Sequence, residues 1–443
     1  MRKLEGTRVV VVGMGLSGIG AVKLLRQKGA LVRAVDEKAN DEKPKGEIEG
    51  VTVEPQTEPA FRDAELVVIS PGVPADLDLL APLRARGVPV IGELELAAPY
   101  LQGPTIGITG TNGKTTTTAL TGHILRESGI PCQVGGNIGT APADMVTTSR
   151  PGQWNVLELS SFQLETIETF RADIAACLNV TQNHLDRHHT FENYLNAKAR
   201  LFETQGPDGL AVLNADDPVT KSFAQRTKAG AVWFSGTHEV EGAWLDGDVI
   251  RVHGSPLLKT GDLRLRGRHN YENVMAAALV AHRAGATPGQ IASAAATFAP
   301  VEHRLEFVRE LAGVGYYNDS KATSVDATLK AIDAFSGGLW IILGGKDKGS
   351  DYTVLRDPLR AKARAALLIG AASPKIEKQL SGDTFPVIRC GTLAAAIDKA
   401  SHSAVAGDTV LLAPACSSFD QFETYGHRGR VFKELVNGLK ENH

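Results

Sequence analysis

The chain has 443 residues, with 47 lysines and arginines against 50 aspartates and glutamates and a formal net charge of −3. Charges of both signs are interspersed, which excludes a basic surface for nucleic acid. Four scattered cysteines (Cys132, Cys177, Cys390, Cys416) have neither disulfide-framework density nor paired zinc-ligand spacing, which favours a reducing compartment.

The length predicts about three domains. At the N-terminus, the apolar run in "MRKLEGTRVVVVGMGLSG" is short and ends in glycines. It therefore reads as a strand rather than a signal peptide or membrane span, and the cytoplasm is the expected location.

Short β-branched runs alternate with helical patterns, predicting α/β domains with mainly parallel sheets. "RVVVVG" is the first strand, "IGAVKLLRQKG" the following helix and "LVRAVD" the second strand. "ELVVISPG" and "VPVIGELELA" read as two more strands, and "DEKANDEKPKGE" as a solvated loop. A second series begins at "TIGITG" and continues through "WNVLELSS", "IAACLNVT" and "LAVLNADD", with "HNYENVMAAALVAHRAG" as an apolar helix. After a joint at "FAPVEHRLEFV", a third series contains "GVGYYNDS", "LWIILGG", "RAALLIGAA" and "TVLLAPACSS". Boundaries near Glu93 and Pro300 divide the chain into residues 1–93, 94–299 and 300–443.

Gly13-Met14-Gly15-Leu16-Ser17-Gly18 matches G-x-G-x-x-G between a strand and a helix, and Asp36 ends the next strand. A nucleotide or phosphate at that helix N-terminus is one reading, because free backbone N–H groups and the helix dipole attract anions. Tight strand-to-helix packing alone is the other. Ser70, Pro71 and Gly72 also follow a strand and would line the same sheet edge.

"GITGTNGKTTTT" places Gly113-Lys114-Thr115 between a strand and a helix carrying Leu120, Ile124 and Leu125 on one face. Lys114 could neutralise β- and γ-phosphates, and the Thr115 hydroxyl could reach Mg²⁺. Glu158 lies near the end of a later strand, where a carboxylate could complete the metal site. His184 and Asp186 follow the next strand. Zinc is disfavoured because no cysteine lies near His184, Asp186, His188 and His189; oxygen-rich surroundings suit Mg²⁺. His188 and His189 read as solvated loop residues.

The stretches "GITGTNGKTT", "GGNIG", "LELSSFQLE", "NVTQNHLDRH", "AKARLF", "GRHNYENVMAAAL", "EHRLEFV", "NDSKATS" and "LLAPACSSFDQF" occur in this order. Together they resemble the ATP-dependent Mur ligases of peptidoglycan synthesis, which join an amino acid to a UDP-sugar carboxylate. "GMGLSG", "SPG", "NDSKATS" and "ACSSFDQF" resemble the branch that adds D-glutamate to UDP-N-acetylmuramoyl-L-alanine.

The resemblance implies a Rossmann-like N-terminal domain for the UDP-substrate, a central P-loop-type ATPase domain with a mainly parallel sheet, and a Rossmann-like C-terminal domain for the amino acid. By resemblance, Gly15, Leu16, Ser17, Gly18, Asp36, Ser70, Pro71, Gly72 and Asn137 face the UDP-sugar. Gly110, Thr111, Asn112, Gly113, Lys114, Thr115 and Thr116 hold ATP together with Asn270, Arg304, Asp319 and Lys321. Thr323, Lys348, Ser418 and Tyr425 fall where the family holds D-glutamate, although the family carries phenylalanine at Tyr425. Lys198 matches a carbamylated lysine and joins Thr115, Glu158 and His184 around magnesium, with two ions implied. Without the resemblance, Lys198 reads as an exposed helix residue.

The expected catalytic residues are Lys114, His184 and Lys198, and the expected cofactors are ATP and Mg²⁺. The expected partners are UDP-N-acetylmuramoyl-L-alanine and D-glutamate, with no nucleic acid, no membrane insertion and a monomeric chain. The resemblance also implies domain closure on binding. Rival readings are a folylpolyglutamate synthetase-like ligase, an NAD-dependent oxidoreductase built on the first glycine loop, and a nucleotide-gated binding protein without catalysis.

Overall fold

Buried β-branched runs form parallel strands covered on both faces by helices, a pattern set by the need to hide apolar side chains on each side of a parallel sheet. The computed structural model describes residues 3–440 except 38, 40–49, 183, 266, 300–301, 334, 336, 348 and 383. Its contacts divide the chain into two units: Met1–Leu263 with Asn270–Phe298, and Arg264–His269 with Ala299–His443.

The first unit holds two sheets. One consists of β1 (Arg8–Val12), β2 (Leu31–Asp36), β3 (Val53–Pro55), β4 (Leu66–Ile69) and β5 (Val90–Gly92), in the order β3-β2-β1-β4-β5. All its pairings are parallel. Strand order reverses at β1 and β4, where α/β sheets open a ligand crevice at their carboxyl edge.

The other sheet contains β6 (Thr105–Thr109), β7 (Cys132–Gly136), β8 (Trp154–Glu158), β9 (Ile174–Cys177), β10 (Leu210–Asn214) and β11 (Gly230–Ser235). It is extended by β12 (Gly242–Asp246), β13 (Val249–Val252) and β14 (Ser255–Lys259), in the order β14-β13-β12-β11-β10-β9-β6-β8-β7. Register places Ile108 beside Glu158 and Thr109 beside Cys177. The carboxyl ends of β6, β8 and β9 therefore lie next to one another.

The second unit is built on β15 (Glu306–Leu311), β16 (Val314–Asn318), β17 (Leu339–Gly344), β18 (Ala363–Ile369), β19 (Val387–Gly391) and β20 (Thr409–Leu412). Their order is β15-β16-β20-β17-β18-β19.

One sequence expectation needs correction here. "VPVIGELELA" is not strand throughout: β5 stops at Gly92, and Glu93–Ala97 is a buried helix. The alternating Glu-Leu-Glu-Leu imitates a strand period, but both glutamates point to partners: Glu93 Oε1 accepts Ala143 N at 2.6 Å, and Glu95 accepts Glu168 N at 2.9 Å and Phe170 N at 3.0 Å. The sheets are mainly parallel, as expected, with antiparallel additions at their edges. β12–β13–β14 and β15–β16 pair antiparallel, each joined by a short hairpin. Most of "DEKANDEKPKGE", together with Pro300, lies outside the described residues.

Candidate active site

The crevice of the first sheet is a cavity of about 1060 Å³. Gly15, Leu16, Ser17, Asp36, Ser70, Pro71 and Gly72 line it, and the loop after β7 and the short helix after β8 add Asn137 and Gln163. Asp36 spends one carboxylate oxygen on the loop itself, with Oδ2 accepting Met14 N at 2.6 Å. Ser70 Oγ donates to the Gly13 carbonyl at 2.6 Å. Gly18 does not line the cavity. A Cβ there would lie 1.8 Å from the Gly13 carbonyl oxygen, so this glycine permits helix and loop to touch.

The phosphate-type loop follows β6. Gly113, at φ +83°, precedes the helix Lys114–Glu127, in which Thr115, Thr116, Thr117 and Thr118 are all buried. The loop after β9 braces it: Thr111 N donates to the Asn179 carbonyl at 2.8 Å, and Asn112 N to Asn179 Oδ1 at 2.9 Å. On the other side, a Cβ at Gly113 would meet Asn273 Oδ1 at 2.3 Å, and Asn273 Nδ2 donates to Asn270 Oδ1 at 3.3 Å. Lys114 Nζ folds over the loop and donates to the carbonyls of Gly110 at 2.9 Å and Thr111 at 2.8 Å. A phosphate arriving at the helix N-terminus meets the backbone amides of the loop and a lysine held within the same loop.

Beside this loop stand the residues that fit a magnesium ion. Glu158 is 2% exposed; its Oε1 accepts Asn137 Nδ2 at 2.9 Å, while its buried Oε2 has no hydrogen-bond partner among the described residues. An orphaned buried carboxylate oxygen is costly unless a cation completes it.

Lys198 is 1% exposed on the helix Phe191–Glu203, contrary to its reading as an exposed helix residue. Nζ donates to the Gly110 carbonyl at 2.9 Å and lies 4.7 Å above the Tyr194 ring, with no hydrogen-bonded carboxylate among the described residues. Burial first, and then the Lys114 charge, hold its ammonium well below the usual lysine range. An amine that sheds its proton readily can take up carbon dioxide and become a carboxylate-like ligand. The donor set of Glu158, Thr115 and a carbamylated Lys198 therefore suits a hard divalent cation.

His184 adopts φ +53° on the loop after β9, exposed, with its ring 4.9 Å from Phe162. Of its neighbours, His189 is a surface residue, whereas His188 is 5% exposed and lies 3.0 Å from Ser161 Oγ, contrary to its reading as solvated. Among the described residues no group of three or more His, Cys, Asp or Glu side chains could by itself hold a metal.

In the second unit, Arg428 organises the region predicted for D-glutamate. It is 0% exposed and donates to Ser320 Oγ and the Ser320 carbonyl, both at 2.9 Å, and to the Cys416 carbonyl at 3.2 Å. The loop carrying Thr323 is thereby tied to the loop carrying Ser418. Burial lowers the Arg428 guanidinium to about 10.

The Ser418 hydroxyl is buried with no partner among the described residues. Tyr425 opens the helix Tyr425–Gly438, is 42% exposed, and accepts Ser320 Oγ at its carbonyl at 2.8 Å. Asp319 sits beside Lys321, and burial pushes its carboxyl up to about 6 against the pull of Arg304. Lys348 and the Asp186 side chain lie outside the described residues.

Sequence reasoning missed Asn179, Tyr194, Asn273 and Arg428. The signal available for Tyr194 and Arg428 was helical spacing with buried neighbours; Asn179 and Asn273 act through loop contacts that no local pattern displays.

Family models match along the chain: a MurD-like N-terminal domain of Mur ligases at residues 7–92, the Mur ligase middle domain at 108–281, and the Mur ligase glutamate ligase domain at 303–416. A UDP-N-acetylmuramoylalanine–D-glutamate ligase of Solibacter usitatus is 59% identical over 440 residues, covering 99% of each chain. Another protein of that name, from Koribacter versatilis, is 50% identical, again over 99% of each chain. The fold is also that of a MurF ligase from Thermotoga maritima in complex with ADP, with TM-score 0.61 at 17% identity over 99% of both chains. A UDP-N-acetylmuramate-alanine ligase from the same organism aligns with TM-score 0.61 at 18% identity, covering 98% of this chain and all of its own. Over its whole length, the chain belongs to the Mur ligase family.

Proposed function

We infer that the chain is an ATP-dependent ligase that adds D-glutamate to UDP-N-acetylmuramoyl-L-alanine in peptidoglycan precursor synthesis, releasing ADP and phosphate. The full-length similarity to proteins carrying that name supports the reaction. One observation carries the chemistry: a buried lysine of depressed basicity and a carboxylate with an orphaned oxygen flank the same phosphate-type loop.

The substrate carboxylate attacks the γ-phosphorus of ATP and gives an acyl phosphate. Amide donors of Gly110–Thr116 and the Lys114 ammonium hold the phosphates and stabilise the charge that develops on the transferring group. Glu158, Thr115, His184 and carbamylated Lys198 would hold magnesium, which when bound screens the phosphate oxygens. The D-glutamate amine then attacks the activated carbonyl, loses a proton and expels phosphate.

In the first unit, Asp36 and Ser70 keep the first glycine loop in the shape that accepts the UDP part, with Asn137 at its inner end. In the second unit, Thr323, Ser418 and Tyr425, with Lys348, bind D-glutamate; the Ser418 hydroxyl, buried with no partner among the described residues, is suited to a carboxylate acceptor. Asn270, Arg304, Asp319 and Lys321 serve ATP. Domain limits of 1–93, 94–299 and 300–443, a monomeric state and a cytoplasmic location complete the reading; among the described residues no helix is long and apolar enough to cross a membrane.

Phosphate release measured with ATP, Mg²⁺ and each candidate substrate tests the reading. Release that requires both UDP-N-acetylmuramoyl-L-alanine and D-glutamate supports it. Release driven by a folate or by another amino acid contradicts it.

A further inference from the structure

The wall of the first-sheet crevice formed by the turn Ser70–Val73 is held from two sides. From below, Ser70 Oγ bonds the Gly13 carbonyl, and a Cβ at Gly13 would come within 2.6 Å of Val73 Cγ2. From above comes Arg187, on the short helix Leu185–His188 that follows β9 of the neighbouring sheet. Its Nη2 donates to the Val73 carbonyl at 2.6 Å and its Nη1 approaches the Gly72 carbonyl at 3.5 Å. The same guanidinium ion-pairs with Glu165 and lies 4.9 Å above the Phe162 ring. Its side chain is only 11% exposed, so these acceptors replace water rather than supplement it.

Phe162 links this latch to the chemistry. The His184 ring packs edge-on against it at 4.9 Å, the His188 ring stacks at 5.5 Å, and the adjacent Gln163 lines the crevice. A planar fork with five donors can serve two carbonyls and a carboxylate while stacking on a ring; an ammonium cannot.

We propose that Arg187 is a positioning residue for the UDP-sugar: it fixes the Ser70–Val73 wall of the crevice relative to the loop that carries His184. It touches no reacting atom in this role. Its loss lets the wall drift, which weakens UDP-sugar binding while leaving the phosphate-type loop, braced separately by Asn179 and Asn273, as it was.

The inference rests on the ligase reading, and calorimetry of UDP-N-acetylmuramoyl-L-alanine binding without ATP separates the two. Arg187→Ala should raise the Kd at least about tenfold, the scale of a lost charge-assisted hydrogen bond, with the KM for ATP changed less than about twofold. Arg187→Lys retains a cation at the latch and should still bind distinctly more weakly than wild type. Either variant binding as tightly as wild type, or raising the KM for ATP as much as the UDP-sugar Kd, overturns the proposal. Should Arg187→Ala not fold, the Arg187→Lys result decides by the same criteria. Wild-type protein that does not bind this ligand at all would sink the ligase reading, and the inference with it.

Discussion

Lys198 and Lys114 direct their ammonium groups at one acceptor: each Nζ lies 2.9 Å from the Gly110 carbonyl oxygen. Two full charges on one carbonyl repel, and Lys198 is held well below the usual lysine range by burial first and then by the Lys114 charge. The arrangement supports the proposal that Lys198 takes up carbon dioxide beside a Lys114 that binds phosphate.

Replacing Lys198 by alanine should therefore cost activity by at least about a hundredfold, since a metal ligand acts on transition-state charge. Bicarbonate or short carboxylic acids added to the assay should restore part of it by occupying the vacated volume. Unchanged turnover in Lys198→Ala would remove the carbamate from the account.

Lys114→Ala should lower kcat/KM for ATP by about 10²–10³-fold, the scale of one lost electrostatic contact to a developing charge. Its bonds to the Gly110 and Thr111 carbonyls lie within its own loop, so the fold should survive. Thermal melting with and without ATP checks this: wild type should gain stability from the nucleotide, and the variant should gain little. A full ATP-induced shift in the variant would place the nucleotide elsewhere.

Glu93 makes the first unit's stability depend on pH. Burial pushes its carboxyl up to about 8, and its Oε2 has no partner among the described residues. Between the ordinary glutamate value and about 8, the unfolded chain is ionised while the folded protein keeps the proton. The folded state thus binds more protons, and stability falls as pH rises through that window. Glu93→Gln should flatten the decline, gaining on the order of 3 kcal/mol relative to wild type by pH 8, with little gain at pH 5. Urea unfolding at the two pH values measures it, and parallel pH profiles would refute the assignment.

Arg428→Ala should strike D-glutamate use and folding together. Removing it leaves the Ser320 and Cys416 carbonyls buried without a donor and should destabilise the second unit by about 3 kcal/mol. The KM for D-glutamate should rise at least about tenfold while the Kd for the UDP-sugar stays unchanged. A variant with reduced stability but an unaltered KM for D-glutamate would make Arg428 purely structural.

Much of this was legible in the sequence because it is local. Strand, glycine loop, Lys-Thr and helix are contiguous from Thr105 to Glu127, and Glu158 falls at a strand end that register carries to the loop. Lys198 was less legible, because its charge masks a helical stripe. Tyr194, Ala197, Leu201 and Phe202 are buried around it at helical spacing, so position alone placed it inside. Arg428 hides in the same way, one and two turns before buried Phe432 and Val436.

The Glu93–Ala97 helix was misread because two glutamates alternating with leucine satisfy the strand period, and only long-range acceptor bonds to Ala143 and to residues 168–170 reveal its purpose. Contacts such as Arg187 to Val73 span 114 residues, and no window of sequence contains both ends.

The central claim is that ATP activates the substrate carboxylate before the amine attacks. Turnover of UDP-N-acetylmuramoyl-L-alanine labelled with ¹⁸O in its alanyl carboxylate, in the presence of ATP and D-glutamate, tests it directly. Mass spectrometry of the released phosphate should find ¹⁸O transferred from the carboxylate, formed together with the D-glutamyl product. Phosphate free of ¹⁸O would contradict the account.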